Sequence, residues 1–353
     1  MIVDTGSRHV VEDGQEMEGA SAPSSFRPER IGVVVIGRNE GERLARCLRS
    51  LSRLPNVAYA DSASTDDSIT LAESMGATVV ALPPGGIMTA ARGRNAGAGV
   101  FRDREDIDYL QFIDGDCELE PEWLPAASAF LDLHNEAAVV CGRRYERDPG
   151  FSLYNKLCDR EWDTPIGQAE SSGGDSLVRK SAFLEIGGFA DDQIAHEEPE
   201  MCARLRAQGW QIWRIDALMT KHDAATDQIG QFYRRSKRAG LGLCQVMLRP
   251  GAASDSAARA IMRRAILWAI LLPVALVILL AMDWRLAAIL VLLYPAQWVR
   301  NSWSTWRSGH FTAREAMKAA GLSLLGKFAE AQGAITYLMQ RLRDRKPSAL
   351  AQK

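Results

Sequence analysis

The sequence predicts an α/β fold, a mostly parallel sheet flanked by helices, with an apolar helical region after it. Three observations carry that expectation. Short apolar runs alternate with helically spaced apolar residues from Ile31 onward, the pattern of repeated strand-helix-strand units. The run Phe112-Ile113-Asp114-Gly115-Asp116 ends a buried strand in two carboxylates one glycine apart, and open α/β sheets gather ligands outside the carboxyl ends of their strands. Residues 265–282 are apolar and carry no charge, long enough at about 1.5 Å per residue to cross most of a roughly 30 Å hydrocarbon layer.

The elements follow in order. Residues 1–28 are rich in Ser, Gly, Glu and Pro and lack both a periodic apolar pattern and the apolar core of a signal peptide, so a disordered tail is expected. Residues 31–36 read as a strand, and Leu44, Cys47, Leu48 and Leu51 recur at helical spacing. A short strand spans 57–60. Asp66 or Asp67 can cap the next helix, which buries Ile69, Leu71, Ala72 and Met75 and stops at Gly76. Strands are expected over 78–82 and over 107–113. Pro121 lies in the first turn of a helix, 137–141 supplies another strand, and 148–167 reads as irregular and aromatic. A helix from about 179 to 186 lies between two glycine pairs, Gly173-Gly174 and Gly187-Gly188.

Composition narrows the possibilities. With 353 residues, 47% hydrophobic and 24% charged, the chain can bury one large domain and still carry an appendage. The net charge of -2 gives no electrostatic reason to expect nucleic acid as a partner. Cys47, Cys117, Cys141, Cys158, Cys202 and Cys244 form no Cys-x-x-Cys pair, which argues for buried reduced thiols over a zinc site or a disulfide framework. At the strand end, Asp114 and Asp116 offer hard oxygen donors, and Gly115 lets the backbone turn tightly between them. Such a pair suits Mg2+ or Mn2+ that also holds a diphosphate. An isolated Asp-Gly-Asp is also an ordinary polar turn.

Four segments in order reduce that second reading: Ile31-Gly32-Val33-Val34-Val35-Ile36-Gly37-Arg38-Asn39-Glu40, Asp61-Ser62-Ala63-Ser64-Thr65-Asp66-Asp67-Ser68, Ala91-Arg92-Gly93-Arg94-Asn95-Ala96-Gly97, and the Asp-Gly-Asp motif. Together they resemble the family 2 glycosyltransferases, whose catalytic domain has the GT-A fold, over residues 30–249. The resemblance implies that Arg38, Asn39, Glu40 and Asp61 line the base and ribose of a UDP- or GDP-sugar, and that Arg94 supports the nucleotide side. Asp116 is the first choice for direct metal ligation, and Asp114 for a ribose contact or ligation through water. Gly173-Gly174-Asp175 is similar to the family's turn beside the donor sugar, which gives Asp175 a donor-binding expectation. In His196-Glu197-Glu198, opening a helix, Glu198 occupies the position of the catalytic base; two glutamates there also favour the positive end of a helix dipole. His222 is expected as a third metal or diphosphate ligand, or as a packed residue. The chain departs from the family at Ser62, where many members carry a second Asp, so the base is left open between uracil and guanine. Gln231-Phe232-Tyr233-Arg234-Arg235 matches the element of processive synthases only in part, because no Trp follows, and this favours transfer of a single sugar.

After the long apolar run, Asp283-Trp284-Arg285 interrupts, and 286–299 is a second apolar stretch broken by Pro295. A transmembrane helical hairpin is expected over 259–310, with Trp284 and Trp298 near interfaces; one span plus a re-entrant segment is the alternative. Arg259, Arg263 and Arg264 before it, and Arg300 and Arg307 after it, put both flanks in the cytoplasm under the positive-inside rule. Leu324, Phe328, Ala331, Ile335, Leu338 and Leu342 share one helix face, followed by Arg341, Arg343, Arg345 and Lys346, so 311–353 is expected as an amphipathic membrane-surface helix with a basic tail, the alternative being an ordinary amphipathic helix packed on the catalytic domain. With the resemblance, the expectation is a metal-dependent inverting glycosyltransferase over 29–250 at the inner (cytoplasmic) membrane. Its acceptor would be lipid-linked or another glycan. A sugar-nucleotide nucleotidyltransferase would need a glycine-rich, lysine-bearing loop that residues 32–40 do not supply, and a non-catalytic scaffold would most simply have lost the carboxylates.

Overall fold

Five consecutive residues of the first strand, β1 (Ile31–Gly37), are buried, as expected of an interior strand in a sheet covered by helices on both faces. The structure is a computed structural model that describes residues 26–83, 87–224, 226–249 and 256–343. Most of the expected tail, and Arg345 and Lys346 of the basic end, lie outside those residues. After β1 come α1 (Glu42–Ser50), β2 (Val57–Asp61), α2 (Ser68–Ser74), β3 (Thr78–Ala81), α3 (Ala90–Gly99) and β4 (Tyr109–Asp114). The four strands are parallel in the order β3-β2-β1-β4, and Ile36 of β1 pairs with Asp114 of β4. Successive strands therefore leave β1 first on one side and then on the other. Such a reversal opens a crevice at the carboxyl ends of the strands, and Asp114 ends the strand that borders it.

The second half is β5 (Cys117–Leu119), α4 (Trp123–Leu133), β6 (Ala137–Glu146), α5 (Leu153–Glu161), β7 (Gly167–Gln168), β8 (Ser176–Arg179), α6 (Lys180–Glu185), α7 (Glu197–Ala207) and β9 (Gln211–His222). Strand β8 runs antiparallel between β4 and β6, β6 is parallel to β9, and β5 and β7 are antiparallel to β9. The sheet is therefore mixed: the first four strands are all parallel, and in the second half only β6 and β9 pair in parallel. One apolar core gathers around Trp123 and another around Phe112, Phe183 and Phe189. Residues 148–167, expected to be irregular, contain α5: the Ser152 hydroxyl accepts from the Asn155 N–H at 3.0 Å and so caps a helix that the local apolar pattern does not announce. All six cysteines are free and buried.

Beyond the sheet lie α8 (Ile229–Met247), α9 (Ser256–Ile266), α10 (Leu272–Met282), α11 (Trp284–Val291), α12 (Leu293–Arg307) and α13 (Ala313–Leu342). A π-turn at Leu267–Leu271 joins α9 to α10, just before Pro273, whose ring and missing N–H disrupt α-helical bonding there. The continuous helix Ala257–Met282 contains an 18-residue window of mean hydropathy 2.8 and is long and apolar enough to cross a membrane. At Asp283, whose side chain caps α11, the chain turns back. The Tyr294 hydroxyl donates to the Trp268 carbonyl oxygen at 2.7 Å, which closes the open end of a hairpin. The returning arm is broken between α11 and α12, and the Trp298 indole donates to the Met317 carbonyl of α13 at 2.9 Å. That bond ties α12 to α13.

Helix α13 crosses α8 closely through small residues. A Cβ on Gly240 would collide with the Glu330 carbonyl, and one on Gly333 with the Lys237 carbonyl. The face that α13 buries carries Ala319, Gly326, Ala329, Gly333 and Ala334, while Phe328, Ile335, Leu338 and Leu342 of the periodic apolar face stay exposed. A bidentate ion pair from Lys156 of α5 to Glu315, at 2.9 and 3.0 Å, fastens the start of α13 to the sheet domain.

Candidate active site

The expected residues divide into three groups. On the β1–β2 side, the Asn39 carboxamide oxygen accepts from the Thr65 N–H at 2.7 Å and its backbone N–H donates to the Ser64 hydroxyl at 3.0 Å, with Asn39 itself at φ 57°. Asp61 is buried and fully engaged: Ser64 N–H donates to one oxygen at 2.8 Å and the Tyr59 hydroxyl to the other at 3.0 Å. These contacts shape the loop after β2 beside the turn that carries Arg38. Arg38, Asn39, Glu40 and Asp61 all stand outside the main cavity.

That cavity, of about 520 Å³, is bordered by Asp114, Asp116, Gly174, Glu197, Glu198 and His222 on the sheet side. Arg94, buried on α3, ties its two acidic motifs together. Its guanidinium donates to Asp114 at 2.8 Å, to Glu197 at 2.5 Å and to the Gly174 carbonyl at 3.2 Å, and stands 3.0 Å from Glu198. Burial and the adjacent Glu197 push the Glu198 carboxyl up to about 7 against the opposing pull of Arg94. Glu198 thus sits near the neutral range in which a general base is most effective.

Asp175 lies beneath the cavity. Its carboxylate is fully buried, accepting from the Asp114 backbone N–H at 3.0 Å and from the Thr220 hydroxyl at 2.6 Å. These bonds fix the strand end that carries the Asp-Gly-Asp motif, so it is Gly174, one residue earlier, that reaches the cavity.

His222, at the end of β9, directs one ring nitrogen to Asp116 at 3.3 Å and the other to Glu146 at 3.1 Å. Burial and Arg144 work to keep this imidazole neutral, but Asp116 and Glu146 outweigh them and raise its pKa above the ordinary value. Burial likewise opposes ionisation of Asp116, yet His222 and Arg144 hold its carboxyl well below the usual range. Glu40, paired with Arg43 at 2.7 Å, is pushed up to about 7 by burial and then by Asp116. The donor set fits a divalent cation: Asp116 and His222 converge with Cys117 within 4.8 Å, and Glu146 orients the ring as an outer partner of a ligating histidine does. Asp114, taken up by Arg94 and Arg144, suits an indirect role better than direct ligation.

Two residues were missed in the sequence. Arg144 lies 3.3 Å from Asp114 and over the Trp162 ring at 4.8 Å, and Glu146 holds His222. Both belong to the polar end of β6, beyond the apolar stretch by which the strand is recognised.

A mixed sheet with a strand-end Asp-Gly-Asp at the switch point, facing a helix opened by paired glutamates, defines the GT-A class of nucleotide-diphospho-sugar transferase folds. The family model "Glycosyl transferase family 2" matches residues 32–182 and "Glycosyl transferase family group 2" matches residues 111–300. The chain belongs to glycosyltransferase family 2. It is 31% and 32% identical over 163 residues to uncharacterized glycosyltransferases of Rickettsia felis and Rickettsia conorii, covering 42% of this chain and 55% of each relative. It thus spans about half the length of the curated relatives it matches. A mannosyltransferase from Pyrobaculum calidifontis, solved with GDP-Man and Mn2+, shares the fold with a TM-score of 0.57 at 16% identity, over 91% of this chain and 90% of that one.

Proposed function

We propose that the protein is an inverting glycosyltransferase that moves one sugar from a UDP- or GDP-sugar to a hydroxyl of a lipid-linked glycan at the cytoplasmic face of the inner membrane, in envelope or exopolysaccharide synthesis. The observation that carries this reading is the Arg94 bridge, which holds Asp114 and Glu198 on one guanidinium at 2.8 and 3.0 Å. The donor motif and the base are thereby set against the same cavity. The acceptor oxygen attacks the anomeric carbon and its proton passes to Glu198, while the bond from that carbon to the diphosphate oxygen breaks and its electron pair leaves with the nucleotide. A divalent cation, held by Asp116 and His222, would offset charge on the departing diphosphate. Arg144 faces the same cavity and adds fixed positive charge there.

The hairpin, the outward apolar face of α13 and the arginines Arg263, Arg264 and Arg300 support the membrane part. The test is thermal stabilisation of the detergent-purified chain by a panel of nucleotide-sugars with and without Mn2+, beside Asp116→Ala. A cation-dependent shift with one donor, absent in the variant, is the expected result. No shift with any donor would favour a non-catalytic scaffold of the same fold.

A further inference from the structure

The cavity does not end at the carboxylates. Its far wall is formed by α8 and α13, which bring Arg235, Arg238, Lys327 and Glu330 to its surface. Three cations there face Glu161 and Glu330. Arg235 is turned toward Cys158 and Glu161, and Lys327 lies 3.0 Å from Glu330. Arg238 has no ion pair or hydrogen bond among the described residues, so its guanidinium fork is open to a ligand there. An arginine left over in a concave site suits a phosphate oxygen acceptor, because its donors are fixed in a fork.

The same wall is one helix thick. Lys327 faces the cavity, and the next residue, Phe328, stacks on Tyr294 with ring centroids 6.4 Å apart. Tyr294 in turn packs on Trp268 at 5.6 Å and bonds its carbonyl at the open end of the hairpin. An aromatic column therefore runs from the apolar hairpin to the back of the helix that presents Lys327. A molecule with its chain along the hairpin would therefore lie one helix away from the cation that faces the cavity.

We propose that Arg238 and Lys327 form a docking site for the phosphate or diphosphate of a membrane lipid that carries the acceptor. This rests on the transferase reading, and it names the chemistry by which the acceptor is held. Charge on this wall draws the anionic head in, and the hairpin holds the chain. The head then anchors the acceptor so that its hydroxyl can reach Glu198 from the far side of the cavity.

The probe is dodecyl phosphate, titrated into the full chain in uncharged detergent and read by thermal stabilisation, with dodecanol and inorganic phosphate as separate arms. Dodecyl phosphate is expected to stabilise the protein and the two partial probes to do so at least tenfold less well. Arg238→Ala, which breaks no bond in the fold, should weaken the dodecyl phosphate response about tenfold, and Lys327→Gln should do likewise. Arg234→Ala, an exposed arginine one turn away and outside the cavity, should leave it unchanged. Stabilisation by UDP or GDP with Mn2+ is measured in every variant and should not move. Loss of nucleotide binding in the unaltered chain would sink the transferase reading. Intact nucleotide binding with an unaltered dodecyl phosphate response in both Arg238→Ala and Lys327→Gln would sink this proposal alone. An equal response to inorganic phosphate, or an equal loss with Arg234→Ala, would also overturn it.

Discussion

Glu146 holds the Nδ1 atom of His222 at 3.1 Å, so that Nε2 is the nitrogen turned to Asp116 at 3.3 Å. The pair joins the ends of two parallel strands, β6 and β9, and turns a histidine that could be mere packing into a directed donor.

Glu146→Gln should weaken Mn2+ binding about tenfold to a hundredfold, the usual cost of losing the outer partner of a ligating histidine. Asp116→Ala should abolish it. Because the pKa of His222 is raised, protons compete with the cation above the ordinary histidine range, and affinity should climb as pH rises through that range. Mn2+ titration followed by electron paramagnetic resonance at several pH values checks all three. An affinity independent of pH would remove His222 from the ligand set.

Burial and Glu197 push the Glu198 carboxyl up to about 7, and in the proposed role it serves as a base only when ionised. The kcat/KM profile should therefore rise with pH along a limb centred near 7, and Glu198→Gln should lose turnover while keeping donor binding. Glu197→Gln removes the neighbouring negative charge and should move the limb to lower pH. The stability consequence has the opposite sign. A carboxyl whose folded pKa is raised contributes fully below its unfolded value of 4.5, and that contribution is lost as pH rises toward 7. Denaturant midpoints of the Glu198→Gln variant should accordingly show a shallower decline between those limits.

Arg94→Ala would strip the counter-charge from Asp114, Glu197 and Glu198 at once. Breaking a buried ion pair from one side costs about 3–5 kcal/mol, so a large fall in the urea midpoint is expected together with loss of activity. Arg94→Lys keeps the charge but cannot reproduce the fork, and should recover part of the stability and little of the turnover. A lysine variant with full turnover would reduce the bridge to a charge balance.

Gly240→Ala and Gly333→Ala each place a methyl group against a carbonyl of the opposing helix. Overpacking of this kind costs about 1–3 kcal/mol, and separating α8 from α13 also widens the far wall of the cavity. Midpoints should fall, and KM for the acceptor should rise more than KM for the donor. Gly230→Ala, near the start of α8 and away from the crossing, is the control.

Much of this was legible in order along the chain. The apolar run before Asp114, the glutamates at the head of α7 and the long apolar helix are local signals, and the structure presents all three as such. The polar end of β6 was not legible, because Arg144 and Glu146 gain their meaning only from β9. That pairing passes through three register shifts before it sets Glu146 against His222. Asp175 was misplaced by one residue, since its sequence shows a turn but not which member of the turn faces inward. On α13 the periodic apolar set divides: Phe328, Ile335, Leu338 and Leu342 stay exposed while Ala331 is buried. That the helix would bury its glycines and alanines and leave Phe328 and Ile335 outside follows only from how closely α8 can approach.

The ion pair between Lys156 and Glu315 means that the terminal helix and the sheet domain are not independent modules. A lineage that exchanged the helical region after the sheet for another by recombination would have to bring α8, the small-residue seam of α13 and a partner for Lys156 together. The sheet domain and the helices packed on it are therefore expected to be inherited as a unit.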